Sequence, residues 1–583
     1  CYATGAVSGY WGVGGLVGRN DGLVSVCYAA GRVEGVAKVG GLIGYRPVGG
    51  AVSASFWDLK TSGQEDSDGG TGLVTEDLRH QATFTAAGWD FVITWQILED
   101  FTYPWLQALP PTSASFTVTV QSEHGVVLRE PDVIGYPAWS VVWLTATPDP
   151  GYAFAGWAGT GLPGESLIFH VNPMPFTIHN DLLLEAVFLP AGPKTVDSVA
   201  NLQRIGNDSQ WPIHWSYVLQ DDIDASETVG WNEGRGFIPI GSSGIPFSGK
   251  FDGQGHAISG LVVHRPEEDY VGLFAVVGSG AEIYNLNLDG GTVAGKNNVG
   301  GLTGRNRGAI SGCHTSLAVI GEDNVGGLVG RNEDQGMITD CYALGMVTGG
   351  RFTGGLVGVN GGLVSQSHAA GGVSGVEYVG GLIGRNGLES DESGIFFPGT
   401  VTNCHASGAV SGNITIGGLV GRNELESEIG QCYAAGGVDG NRILGGLVGT
   451  NEGRITECHA TGAVVGTGNS VGGLVGVNDM DGTVVSCHAT GDVESRGDYV
   501  GGLAGYNWYS ALSGCYATGA VRGAKSVGGL IGLNRGGAVA QCYATGAVSG
   551  YLELGGLIGQ HRESTVLKSF ATGMVWGYKH LGG

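Results

Sequence analysis

A short motif returns along this chain: an aliphatic residue, two glycines, leucine, another aliphatic residue, then glycine, often followed closely by asparagine. Residues 13–20 read VGGLVGRN and residues 39–44 read VGGLIG. After a gap, copies resume with leucines at Leu302, Leu328, Leu356, Leu382, Leu419, Leu447, Leu474, Leu503, Leu530 and Leu557. Most steps are 26 to 29 residues. The step from Leu382 to Leu419 is 37, and its extra residues, ESDESGIFFPG, read as a loop. A period of this length means a solenoid, in which each repeat buries its apolar face only against its neighbours.

Glycine supplies 112 of the 583 residues. The copies are short apolar runs broken by glycine, which suits tight turns and is poor inside helices. Three short strands and three turns fit into one repeat. The reading is all-β: parallel, right-handed β-helix solenoids with an intervening small all-β domain. Successive coils should then lie about 4.8 Å apart.

Stacking turns equivalent residues into ladders. Leu419, Leu447, Leu474, Leu503 and Leu530, with the earlier leucines, form an inward aliphatic ladder. Asn306, Asn332, Asn360, Asn386, Asn423, Asn451, Asn478, Asn507 and Asn534 form a second one. Their amides can pass hydrogen bonds from coil to coil. All ten cysteines occupy one repeat position, just before a ring residue. Cys1, Cys27, Cys313 and Cys341 precede an unbroken run of Cys404, Cys432, Cys458, Cys487, Cys515 and Cys542. Serine takes the position at Ser367 and Ser569, so a small side chain suffices. A catalytic cysteine would be singular, and this ladder is plural. Free thiols facing the core are one reading. Disulfides between coils are the other, although parallel Cβ atoms at the coil spacing stand slightly too far apart. The next residue is Tyr at 2, 28, 342, 433, 516 and 543, His at 314, 368, 405, 459 and 488, and Phe at 570. These read as an outward stack of rings, or as a carbohydrate-binding stripe.

The repeated VGGLVGRN, followed by CYATGAV, resembles the GLUG repeat of bacterial surface proteins, in two blocks at about 1–107 and 194–583. The second block opens with YVLQDDIDAS, GFIPIG and PFSGKFDGQGHAISGL, and the first closes with SFWD, GWDF, WQI and YPWLQAL, as such proteins do. Between them, prolines at Pro110, Pro111, Pro190 and Pro193 mark edges. The alternating runs FTVTV, VVWLTATP and LLLEAVF mark strands. With GYAFAGW, this segment resembles an InlB B-repeat-like module. The expected domains are therefore 1–109, the C-terminal end of a solenoid with its closing segment; 112–190, the small all-β module; and 194–583, a second solenoid with an opening segment at 194–270 and about 11 coils. The resemblance implies a large extracellular or surface-anchored bacterial protein, adhesin-like. The start at Cys1 and repeats cut at both ends suggest a window on something longer.

The formal net charge is −25, with 28 Lys+Arg against 53 Asp+Glu, which argues against nucleic acid. No apolar run is long enough to span a membrane. GxxxxGK begins at Gly244, but Phe251 stands where a P-loop needs Ser or Thr. GxSxG at 468–472 lies in a turn, not a nucleophile elbow. HExxH is absent from the sequence. The acidic stretches DDID (221–224) and QEDSDGG (64–70) could hold Ca2+, yet lack the spacing of a calcium loop. No cofactor is expected. The sequence reads as a structural, rod-like segment and not as an enzyme. End-to-end self-association or continuation of the chain supplies its partner. A glycan-binding adhesin, or a polysaccharide-active enzyme on the solenoid groove, is the alternative.

Overall fold

The computed structural model describes residues 1–97, 102–107, 115–137, 140–160, 171–178, 180–389 and 395–583. Residues 108–112, which hold the expected boundary between closing segment and module, and residues 390–394 of the long insertion lie outside the described residues. Two compact units result, Cys1–Ala191 and Gly192–Gly583. Their division falls inside the Pro190-Ala-Gly-Pro193 linker.

The larger unit is a parallel β-solenoid. One coil shows the plan: strands Asp323–Gly326, Val329–Asn332, Met337–Thr339, Tyr342–Ala343 and Val347–Thr348. Each pairs in parallel with its counterpart in the next coil, as in Val325↔Thr353, Asn332↔Asn360, Ile338↔Val364, Tyr342↔His368 and Val347↔Val373. The coil therefore has five short strands where three were expected. The extra corners arise because the chain bends at left-handed residues that pattern reading does not register. Asp340 (φ 55°), between the third and fourth strands, marks one of them. The first strand also carries a left-handed residue, Asn324 (φ 56°) here and Thr415 (φ 60°) and Ile443 (φ 58°) in later coils. β-branched residues disfavour that conformation. The stack imposes it on them.

Inside the coil, Val325, Leu328, Val329, Ile338, Cys341, Ala343 and Val347 are at most 1% exposed. Each fully buried Val, Leu or Ile contributes roughly 1.5–3 kcal/mol before the entropy of ordering it is subtracted. These residues join one continuous core running from Val196 to Leu554. The double glycine has a steric cause. A Cβ at Gly446 would run into the carbonyl oxygen of Gly473 and crowd the Ala460 methyl at 3.1 Å.

The unit opens before the motif appears. Strands Lys194–Val196, Ser216–Leu219, Lys250–Asp252 and Glu282–Tyr284 already stack in parallel. The helix Val199–Arg204 buries Val199 and Leu202 in the same core, and the Ser198 hydroxyl caps it by accepting from Asn201 N–H at 3.3 Å. At the 37-residue step, Leu388–Glu389 pairs antiparallel with Phe396–Phe397. The base of that insertion is a hairpin and not a free loop.

The smaller unit begins with similar coils. Strands Val7–Gly14 and Val33–Gly40 pair in parallel, as do Tyr2–Ala3 and Tyr28–Ala29. Residues 64–70 close this stack. Gly41 N–H donates to the Asp66 carbonyl, Leu42 and Ile43 N–H to Ser67 Oγ, and Asp68 N–H to the Ile43 carbonyl. Phe56, Phe84, Trp89, Trp95 and Tyr103 then gather around Tyr28. Tyr103 donates to buried Asp58 at 2.6 Å. Next come two three-stranded sheets. Leu182–Pro190 lies between Val118–Ser122 and Tyr152–Thr160, and Val141–Pro148 lies between Gly125–Glu130 and Met174–Thr177. Trp157, Val142, Leu144 and Phe176 fill the space between them.

Candidate functional site

The leucines, asparagines and cysteines singled out in the sequence, Cys1 excepted, lie in the interior of the stack. Leu302 through Leu530 are fully buried, and each leucine N–H from Leu302 to Leu530 donates to the carbonyl of the next leucine in the series at 2.8–3.0 Å. The nine asparagines from Asn306 to Asn534 are likewise fully buried. Each Nδ2 donates to the next Oδ1 at 2.7–2.8 Å. The same Nδ2 also donates to a carbonyl of its own turn, at 3.1 Å for Asn451 to Gly453 and for Asn478 to Gly482. A buried amide left without partners would cost about 1–3 kcal/mol, and this chain of amides leaves none of its donors idle.

All ten cysteines are free thiols, and nine of them are buried. The rotamer repeats: Sγ donates to the carbonyl two residues back, at 3.1 Å in Cys432, Cys458 and Cys487. Sγ also accepts from the cysteine N–H of the preceding coil, at 3.3 Å for Cys404 to Cys432 and 3.4 Å for Cys432 to Cys458. Ser367 and Ser569 do the same with oxygen, accepting from Cys341 and Cys542 N–H at 3.1 Å. Ser55, which the motif reading passed over, plays this part for Cys27. Burial pushes the Cys341 thiol well above its ordinary pKa, whereas hydrogen bonds from neighbouring ladder thiols lower those of Cys404 and Cys458. A protonated buried thiol is a poor nucleophile.

On the outer surface the rings stack without a gap from His314 to Phe570. Centroids of His368 and His405 are 4.6 Å apart with planes 5° from parallel, and those of His459 and His488 are 4.9 Å apart at 2°. His314, His368, His405 and His488 all have lowered pKa values, first because of partial burial. Neighbouring histidines add to the effect on His405 and His488. Asp340 opposes it at His314 and His368. Because each inner ring covers the faces of its neighbours, only ring edges face solvent along the stack.

A fifth ladder escaped the sequence reading. Glu333, 8% exposed in its side chain, takes Arg305 at 2.7 Å and Arg331 at 2.9 Å. Glu424 takes Arg385 at 2.7 Å and Arg422 at 3.1 Å, and Arg422 also reaches Glu452 at 2.8 Å. Burial works against the Arg422 charge, but Glu424 and Glu452 outweigh it and raise its pKa. The recurrence of GRNE at 330–333 and 421–424, with GTNE at 449–452, was the available signal.

The motifs weighed for chemistry serve turns and strands. Lys250 begins a strand and pairs with Glu282 at 3.0 Å. Ser470 (φ 64°) is a coil corner. Asp222 accepts from Ala257 N–H at 2.9 Å, and Asp224 accepts from Ser226 N–H at 2.9 Å. Among the described residues no group of three or more His, Cys, Asp or Glu side chains is placed to hold a metal ion, and no helix is long and apolar enough to cross a membrane.

Comparison with known proteins finds similarity over parts of the chain. Halomucin of Haloquadratum walsbyi is 34% identical over 370 residues, 54% of this chain and 4% of its own length. A "Putative Gly-rich membrane protein" of Evansella cellulosilytica is 35% identical over 121 residues, 20% of this chain and 14% of its own length. The chain thus spans a small part of both relatives. A solved structure titled as a putative immunoglobulin A1 protease of Bacteroides ovatus matches 67% of this chain and 84% of that one, at 16% identity and a TM-score of 0.22. That superposition is too poor to bear on activity. The family model for the GLUG motif matches residues 321–348, 375–411, 440–465, 467–494, 497–522 and 523–549. Six stretches between residues 321 and 549 thus match the GLUG motif, and all six lie in the β-solenoid of the larger unit.

Proposed function

We propose that this chain is a structural segment of a large extracellular or cell-surface protein, in which stacked coils act as a stiff rod. One observation carries the reading. The asparagine ladder runs unbroken through nine coils, with every link between 2.7 and 2.8 Å. Such a stack resists bending, because curvature would stretch several ladders at once. Kinship with halomucin, whose name is that of a mucin, supports a surface role. The fourteen-stranded sheet of the larger unit would give that unit a length of about 60 Å at ~4.8 Å per coil. Strand Val575–Gly582 pairs on one edge with Val548–Gly555. Its other edge would accept a further coil, either from the same chain continued or from a second copy. The small sheet pair at residues 115–190 would serve as a spacer in this arrangement.

Electron microscopy of the whole chain tests the reading. Straight rods or end-to-end fibres are expected, and flexible coiled particles would overturn it. Incubation with polysaccharides separates the enzyme alternative: release of reducing ends or unsaturated sugars above a heat-inactivated control would contradict the structural role.

A further inference from the structure

One coil departs from its neighbours on the outside only. It carries Tyr499, Tyr506, Trp508 and Tyr509. The preceding coil has Ser470, Val477, Asp479 and Met480 in these places, and the following coil has Ser526, Leu533, Arg535 and Gly536. The inner ladders pass beneath unchanged through Leu503, Asn507 and Cys515. The repeat does not require these rings.

The four side chains form a connected platform. Tyr499 and Tyr506 have centroids 6.0 Å apart, Tyr506 and Trp508 6.3 Å, and Trp508 and Tyr509 6.0 Å. Trp508 is 36% exposed and Tyr509 51%. Tyr509 lies over Gly536, where a Cβ would strike its ring. Polar groups border the platform. Arg535 stands beside the Tyr506 hydroxyl. On the other side, the half-buried carboxylate of Asp479 has an Oδ1 with no hydrogen-bond partner among the described residues. Burial holds that carboxyl above its usual range, against a backbone hydrogen bond from Met480 and the charge of Arg422.

We propose that Tyr499, Tyr506, Trp508 and Tyr509, bordered by Asp479 and Arg535, form a binding site for a neutral saccharide. A pyranose has an apolar C–H face and a rim of hydroxyls. The face suits an exposed indole or phenol ring, and the hydroxyls can pair with the charged side chains at the border. One acid and one base leave the rim with little net charge, which suits an uncharged ligand. The patch is one coil wide, about 5 Å. The long ring stack is not a second such platform, because its faces are covered by one another.

An array of neutral gluco-, galacto-, manno-, xylo- and N-acetylglucosamine oligosaccharides, followed by calorimetry on the whole chain, provides the test. At least one series should bind with Kd between about 10 µM and 1 mM. Trp508→Ala should weaken that binding about tenfold or more, and Asp479→Asn severalfold. Trp576→Ala, at another exposed tryptophan, should change nothing. The proposal is overturned if no oligosaccharide binds. It is equally overturned if the Trp508→Ala and Asp479→Asn variants bind like the parent, including the case in which they merely melt earlier. Failure here leaves the rod reading standing, since that is judged from particle shape.

Discussion

The cysteine position asks two things of a side chain. It must fit a packed wall, and it must offer a lone pair to the N–H of the coil before it. Cys458 meets both, accepting from Cys432 N–H at 3.4 Å. Ser367 meets both with oxygen. Cys458→Ser should therefore change stability by less than about 1 kcal/mol. Cys458→Val fills the space but leaves that N–H buried and unpaired, and should cost about 1–3 kcal/mol. Chemical denaturation of the two variants separates these outcomes. Equal losses would mean that volume alone governs the site. The pairing ECHA at residues 457–460 looks like a nucleophile beside its base. Strand alternation sends Cys458 inward and His459 to the stack outside, and their partners lie in neighbouring coils.

At the scale of the element, the tight double-glycine corner and the ring stack set the limits. Gly446→Ala has no room to relax, since its methyl would meet backbone on one side and Ala460 on the other. We expect a loss of about 3 kcal/mol or more, seen as faster hydrogen exchange in the coils at either side. The ring stack makes stability depend on pH. His314, His368, His405 and His488 have lowered pKa values in the fold, so below about 6.5 the unfolded chain binds more protons than the folded one. Their contribution is intact above that pH and is lost as pH falls toward the lower folded values. Melting temperature should drop between pH 7.5 and 5. The double variant His368→Tyr, His405→Tyr should drop less, since tyrosine already fills the position at Tyr342 and Tyr433. An equal drop would place the acid sensitivity elsewhere. Five strands per coil were not legible beforehand, because corners at residues such as Glu457 (φ 54°), between strands Arg454–Thr456 and His459–Ala460, are forced by the stack and carry no local turn signal.

At the scale of the whole molecule, quasi-equivalent coils make the repeat removable. Deleting residues 448–474 joins Leu447 to Val475 in register and brings Asn423 opposite Asn478. The shortened chain should fold with its strand content per residue unchanged, and its larger unit should be about 4.8 Å shorter. Removing half a coil should unfold the chain beyond the cut. Circular dichroism and small-angle scattering report both results. Unfolding of the whole-coil deletion would show that particular coils, and not their repetition, hold the stack.

The sequence by itself determined the solenoid, its period, the place of the leucine, asparagine, cysteine and ring ladders, and the linker at Pro190–Pro193. Each is repeated, and repetition in sequence becomes stacking in space when neighbours alone can bury a face. Only the tertiary structure decided the rest. The opening segment joins the same sheets without carrying the motif. Residues 64–70 close one stack through backbone hydrogen bonds. Glu333 and Glu424 find arginines from adjacent coils. The rings of Tyr499, Tyr506, Trp508 and Tyr509 meet on one surface with Asp479 and Arg535. These features depend on contacts between residues far apart in the chain or unique to one coil, and a repeating pattern carries no record of either.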